Sequence, residues 1–557
     1  MTLHKVIKIL SPEELLKQAQ LLQKAGRLQE ATIAFEKLKS LYPKFPPILN
    51  DLAILYLQQG KFNEGRQLLE KSLQLDPKQP MAFYNLGKAY QNQGKFNEAS
   101  NAYKQVTKIQ PQFADAHFSR GVCLHFLERF AESIVCFDDV IRIHPSAVHA
   151  HNAKGISSYH AGNYSDALVA LQKALSFNQQ SSEIYNNLGL AYHKLNQFNA
   201  ALENYNLALT INPNYADAYS NRGLTYQALK NTTEALKDYG KCLQIDPNHP
   251  DANWNKALIK IQLGEYQEGW ALYEWRWQSF SKKWARHYQQ PLWLGESSIK
   301  DKTILIYPEQ GYGDFIQFCR YIPMLLELGA KIILETPAPL MALVASSFEG
   351  NIQIIESGKK LPTFDVQCPI MSLPLAFKTI LENIPSTFPY LKADPNKVQL
   401  WQEKLGEKTK PRIGLVWSGS TWHKNDHNRS IQFEKLLSLL ELPFEFHSLQ
   451  KEIRGQDQAL FNKSSIQNHQ QDLRDFSDTA ALIDLMDAVV SVDTAVAHLT
   501  GALGKKLFIL LPSNPDYRWM PDRKDSPWYT SAELFRQSLI GDWTQIIEKL
   551  KISLANL

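Results

Sequence analysis

The sequence predicts an α-helical solenoid followed by an α/β body made of two doubly wound parallel sheets. Three observations carry that expectation. A 34-residue register of prolines and small residues runs through the first half of the chain. From Thr303 onward, apolar β-branched runs alternate with helical stretches. One of those runs, within Asp487 to Gly504, feeds directly into a helix N-terminus.

The register is set by Pro43, Pro77, Pro111, Pro145, Pro213 and Pro247, with Gln179 alone breaking the series. Small residues keep it at Ala53, Gly87, Gly121, Gly155, Gly189, Gly223 and Ala257. A second small set runs from Ala31 and Gly65 to Ala235 and Gly269, each followed four residues later by a large one such as Phe35, Tyr103, Tyr205 or Tyr273. Small residues let two helices cross, the large one fills the groove, and proline ends the second helix. This is the tetratricopeptide pattern. Seven units span about Ser11 to His249 and an eighth begins near Pro250. Such solenoids present a groove whose default occupant is a polypeptide or partner protein.

The expected boundaries are residues 11–283 for the array, 284–301 for a Trp-rich joint, 302–393 for a first Rossmann-like lobe and 394–557 for a second. Five tryptophans (Trp270, Trp275, Trp277, Trp284 and Trp293) crowd the junction. They predict a rigid cap over the terminal repeat, because the segment lacks the Gly/Ser or Pro bias of a flexible linker. Strands are expected at Thr303–Tyr307, Lys331–Glu335, Ile352–Ile355 and Val366–Ile370. A second series follows at Arg412–Trp417, Phe444–Leu449, Ala488–Val492, Lys506–Leu511 and Glu533–Arg536. A helix is expected over Phe315–Leu328. Strands alternating with helices imply parallel sheets with ligands at their carboxyl ends.

In the central stretch, Ala488–Val492 reads as a buried strand, Asp493 as its end and as a cap for the next helix, and Gly504 as that helix's terminator. Thr494 and His498 then share one helix face. A strand running into a helix N-terminus offers N–H groups and a dipole to an anion such as a nucleotide diphosphate. The motif Asp493-Thr494-Ala495-x-x-His498-Leu499, followed by Gly501-Ala502-Leu503-Gly504, resembles the donor site of heptosyltransferase-type glycosyltransferases (glycosyltransferase family nine). A repeat array joined to such a region is reminiscent of O-linked N-acetylglucosamine transferases.

That resemblance implies a GT-B fold, inversion at the anomeric carbon, no required metal and no cofactor, with a nucleotide diphosphate sugar as donor substrate. It implies that the Gly313-Asp314 pair, after Gly311, supplies the general base, and that Arg429 meets the donor phosphates where related enzymes often carry lysine. The same Asp314 also suits a plain helix cap. Ser418 and Lys424 lie in the loop bordering the same crevice. Arg518 and Trp519, in an aromatic-rich loop after the Lys506–Leu511 strand, are candidates for gripping the base or sugar. His423 and His427 are four apart, but no third ligand is spaced for a metal. The resemblance also implies acceptor contacts from an asparagine ladder, here Asn187, Asn221 and Asn255, although Ser119 and Ala153 interrupt its register.

Composition narrows the classes. A net charge of +4 over 557 residues gives no footprint for nucleic acid or an anionic membrane. No apolar run approaches a membrane span, and five scattered cysteines suit a reducing, cytoplasmic setting. P-loop and GxGxxG motifs are absent. The expected activity is sugar transfer to a hydroxyl, on a protein presented by the array. The alternatives are a scaffold with a degenerate transferase region and a transferase acting on a glycan.

Overall fold

The computed structural model describes residues 11–279, 281, 284–421, 425–521, 523–539 and 541–557. Trp422, His423 and Lys424 therefore lie outside the described residues. The chain divides into two compact units, the first ending at Leu229 and the second spanning Lys230–Leu557.

The first unit is helical from Pro12–Lys24 through Ala216–Ala228, its helices alternating between 13 and 14 residues. Each pair turns on one left-handed residue: Gly26, Gly60, Gly94, Glu128, Gly162 and Asn196 have φ between 58° and 84°. A residue in that region ends a helix by turning its last carbonyls onto the next N–H groups. The small residues of the register sit under their large partners. A Cβ on Gly189 would lie 2.5 Å from the Tyr205 ring, and one on Gly87 2.6 Å from Tyr103. Glycine there is the condition for the helix crossing.

The second unit begins with the helices Thr232–Ile245, Pro250–Gln262 and Tyr266–Tyr273 and the turn Glu274–Trp277. Two parallel sheets follow. The first contains β1 (Thr303–Tyr307), β2 (Lys331–Thr336), β3 (Ile352–Glu356) and β4 (Val366–Pro369), in the order β3-β2-β1-β4. The second contains β5 (Arg412–Val416), β6 (Glu445–Ser448), β7 (Ala488–Val492), β8 (Leu507–Leu511) and β9 (Ala532–Arg536), in the order β6-β5-β7-β8-β9. Every pairing between these strands is parallel. β5, β7 and β8 are buried along their whole length, as strands covered on both faces must be.

The helix expected over Phe315–Leu328 is three pieces, Tyr312–Phe318, a 3₁₀ turn Cys319–Tyr321, and Ile322–Glu327. Pro323 accounts for the last break, since it supplies no N–H and can sit only in a first helical turn. Near the joint, Trp270 and Trp293 are buried whereas Trp284 is 47% exposed. Residues 291–293 run beside β4, the Gln367 N–H donating to Pro291 and the Trp293 N–H to Gln367. Trp270 packs edge-on against Phe318, Tyr517 and Trp528. The helices at the start of this unit thus share one apolar core with both sheets.

Candidate active site

A cavity of about 860 Å³ opens at the carboxyl ends of both sheets of the second unit. That volume lies in the range of small-ligand sites, and this end of a parallel sheet is where loops and helix N-termini converge. Gly311, Gly313, Asp314, Ser418, Arg429, Asp493, Thr494, His498 and Arg518 all line it. Trp519 is buried behind it with its ring stacked on His498 at 5.4 Å.

Asp314 is the third residue of the helix Tyr312–Phe318, whose cap position belongs to Gly311. One carboxylate oxygen accepts the Gly311 N–H at 2.8 Å. The other is ion-paired to Arg518. Arg518 also donates to Gln317 at 2.6 Å and to Asp516 at 2.7 Å. Arg518 is thus a side chain of the second sheet's loops that grips a carboxylate of the first sheet's loop. Its bonds run to these protein partners, where sequence reasoning expected a grip on base or sugar. The pairing spans 204 residues, and no spacing in the sequence signals it.

Asp493 follows β7 but does not cap the next helix. Ala495–Ala502 starts from Thr494, which makes no side-chain cap bond, its hydroxyl lying 3.1 Å from that of Ser491. The reason is that the Asp493 carboxylate faces the cavity, 3.9 Å from His498 Nε2. Burial, then the charge of Asp516, pushes the Asp493 carboxyl up to about 6. His498 is held well below the usual imidazole range by burial and by Arg518, Arg320 and Arg429, so its ring is neutral near pH 7. Its Nδ1 lies 2.9 Å from the Tyr529 hydroxyl. Gly313 permits this closeness: a Cβ there would lie 2.8 Å from His498 Cδ2.

Arg429 ends a short helix, Asp426–Arg429. Its Nη1 donates to the Asp493 carbonyl at 2.8 Å, and a Cβ on Gly419 would lie 2.5 Å from its Nη2. Ser418 is tied to Gln450, which accepts the Trp417 and Ser418 N–H groups and donates to the Ser418 hydroxyl. Arg454 braces the same loop through Gly419, Asp426 and Ser430. Gln450 and Arg454 were not foreseen, because side-chain pairing across about thirty residues leaves no periodic trace.

Among the described residues, the ionic lining is Arg429, Lys451 and Arg518 against Asp314, Glu452, Asp475, Asp493 and Asp516. An anion would therefore rely on Arg429 and on the first N–H groups of the helix Ala495–Ala502, which lack partners within their own helix. Among the described residues, no group of three His, Cys, Asp or Glu is placed to hold a metal ion. His427 is exposed, and its expected companion His423 lies outside the described residues.

Asn187 and Asn221 belong to the first unit and Asn255 to the second. Asn187 donates to Asn152 and Asn221 to Asn186, each at 3.0 Å. One donor of each amide is thereby spent between neighbouring repeats, at about 0.5–1.5 kcal/mol net per bond. Replacing either one removes a bond that joins repeats.

Comparison with known proteins bears on the repeats. Residues 157–196 and 189–230 match a family described as TPR repeat; residues 22–82, 57–120 and 216–249 match families described as tetratricopeptide repeat. Protein FlbA of Caulobacter vibrioides is 26% identical over 330 residues, covering 54% of this chain. The chain spans about half the length of that relative, 54%. Among solved structures, YrrB, described as a TPR protein with an unusual peptide-binding site, is 21% identical and covers 34% of this chain and 98% of its own, with a TM-score of 0.29. The C-terminal part of a TPR repeat-containing protein from Cytophaga hutchinsonii is 18% identical and covers 42% and 97%, with a TM-score of 0.37. Taken with the helix pairs and their register, the family matches make the N-terminal region of this chain an array of tetratricopeptide repeats.

Proposed function

We propose that residues 302–557 form a GT-B type glycosyltransferase, inverting and independent of metal, that moves a sugar from a nucleotide diphosphate donor to a hydroxyl. The observation that carries this reading is the gathering of Asp314, Arg429, Asp493, Thr494 and His498 around one cavity at the carboxyl ends of two parallel sheets. In the proposed step, the acceptor oxygen bonds to the anomeric carbon as the bond from that carbon to the donor phosphate breaks. The diphosphate leaves with the electron pair, held by Arg429 and the N–H groups that begin the helix at Ala495. The acceptor proton passes to Asp314, which is fixed by Gly311 and Arg518. The acceptor is a polypeptide bound by the repeats, and the setting is cytoplasmic.

Thermal shift of the full chain against UDP, GDP, ADP, CMP and dTDP sugars tests donor binding. A ligand at about 100 times its Kd adds about 2.7 kcal/mol, so a true donor gives a clear rise in Tm. Arg429→Ala should weaken nucleoside diphosphate binding by about 1.5–3 kcal/mol, read by calorimetry. Silence across the panel would favour a second reading, a repeat scaffold with a degenerate transferase region. One feature favours that alternative: Asp314 is already engaged by a guanidinium.

A further inference from the structure

We infer that Arg276, in the turn that closes the last repeat helix, is a positioning residue for the loop that carries Asp314. Its guanidinium is fully buried and forks onto Glu309, with Nε at 2.6 Å and Nη2 at 2.9 Å from the two carboxylate oxygens. Glu309 lies two residues after β1 and two before Gly311, whose N–H anchors Asp314. The rest of Arg276 is equally committed. Nη1 donates to Glu274 at 2.7 Å and to the Tyr273 carbonyl at 3.2 Å, and Nη2 donates to Ser372 at 2.7 Å. Glu309 also accepts the Met371 N–H at 3.1 Å. One cation therefore fastens the repeat turn to the segments after β1 and after β4.

The same repeat end reaches the other half of the Asp314 clamp. The hydroxyl of Tyr273 lies 3.4 Å from that of Tyr517, the residue before Arg518. The Tyr273 and Tyr517 rings meet edge-on at 6.0 Å. Both halves of the ion pair between Asp314 and Arg518 are thus backed by residues of a single repeat helix and its turn. A buried pair of this kind is weak evidence of added stability, because desolvation offsets most of its attraction. What the forked geometry does supply is one fixed direction for the loop 308–314. The terminal repeat is, on this view, part of the site's framework as well as of the array.

The inference rests on the proposed transfer reaction for its kinetic arm only; its structural arm stands alone. The experiment uses the full chain and the variants Arg276→Lys, which keeps the charge but loses the fork, and Ser372→Ala, a milder change. Amide exchange by mass spectrometry should rise about tenfold in residues 310–316 of Arg276→Lys and stay unchanged in residues 488–502. Ser372→Ala should show the same pattern, smaller. Nucleoside diphosphate affinity, measured with UDP and ADP, should stay within about twofold, because Arg429 and the helix at Ala495 are untouched, while kcat falls about a hundredfold at unchanged donor KM.

Wild-type exchange at residues 310–316 in both variants would overturn the inference. So would an equal rise throughout residues 303–370 and 488–536, which marks Arg276 as general support. If the wild type binds no nucleoside diphosphate and turns over no nucleotide sugar, the transferase reading fails. The exchange pattern then still decides whether Arg276 orders the loop.

Discussion

The two compact units answer the same need, covering apolar surface, in opposite ways. In the first, each small cluster joins side chains of neighbouring helices, such as Ala53, Leu69, Leu73, Ala82 and Leu86. In the second, one cluster runs from Ala257 through Trp270, Phe318 and Val416 to Leu534. A nearest-neighbour stack responds locally to damage, because each repeat touches only the next. A core assembled from distant segments responds as a whole. The site follows the second rule: its cavity draws residues from the loops after β1, β5, β6, β7 and β8. Displacing any one of those segments alters the rest.

The largest effect should come from Trp270→Ala. Removing this buried ring from among Phe318, Tyr517 and Trp528 should cost about 3–5 kcal/mol. Hydrogen exchange should accelerate across both sheets and leave the helices from Pro12–Lys24 to Phe130–Ile143 unchanged. Acceleration confined to residues near Trp270 would break the comparison. Gly189→Ala is its counterpart in the array. The added methyl meets the Tyr205 ring, and overpacking of this kind costs about 1–3 kcal/mol. Exchange should rise in Ser182–Lys194 and Phe198–Ile211 and fade with distance along the stack. A cooperative loss of all the helices from Pro12–Lys24 onward would show that the array is not a local stack.

A smaller effect concerns pH. The Asp493 carboxyl titrates near 6 in the folded chain, against 3.8 for the unperturbed group. The folded state therefore binds more protons between those values. The stability associated with protonated Asp493 is complete below about pH 4 and is lost as pH rises through about 6. Asp493→Asn cannot ionise, so relative to wild type it should gain about 1–3 kcal/mol between pH 4.5 and pH 7.5. Denaturant melts at the two pH values read this directly. Parallel pH dependence in wild type and variant would show that Asp493 ionises in the folded chain as it does in water.

Much of this architecture was legible beforehand, for stated reasons. Strand positions follow from apolar β-branched runs, and β1 and β7 coincide with the expected Thr303–Tyr307 and Ala488–Val492. The repeat units follow from a register repeated often enough to outweigh any single break. At the site, loops at the carboxyl ends of strands converge whatever their sequence, so Arg429 and Asp493 could be grouped at one crevice, whereas Asp314 takes its role only from the resemblance of Gly313-Asp314 to the family's loop. The pairings were not legible. Arg518 with Asp314, Arg276 with Glu309 and Gln450 with Ser418 are long-range side-chain contacts that no local pattern encodes. Asp493 misled for a related reason: at a strand's end an aspartate reads as a cap until its side chain is seen facing a cavity.

The claim that this cavity performs sugar transfer is tested most directly at Asp314. With a donor identified by thermal shift, turnover per folded molecule is compared for wild type and Asp314→Asn. The amide keeps an oxygen for the Gly311 N–H, so the helix start survives, but it cannot take a proton at neutral pH. Turnover should fall about 10²–10⁴-fold while donor affinity stays near that of wild type. Undiminished turnover per folded molecule would contradict the account and leave Asp314 as a helix-start residue alone.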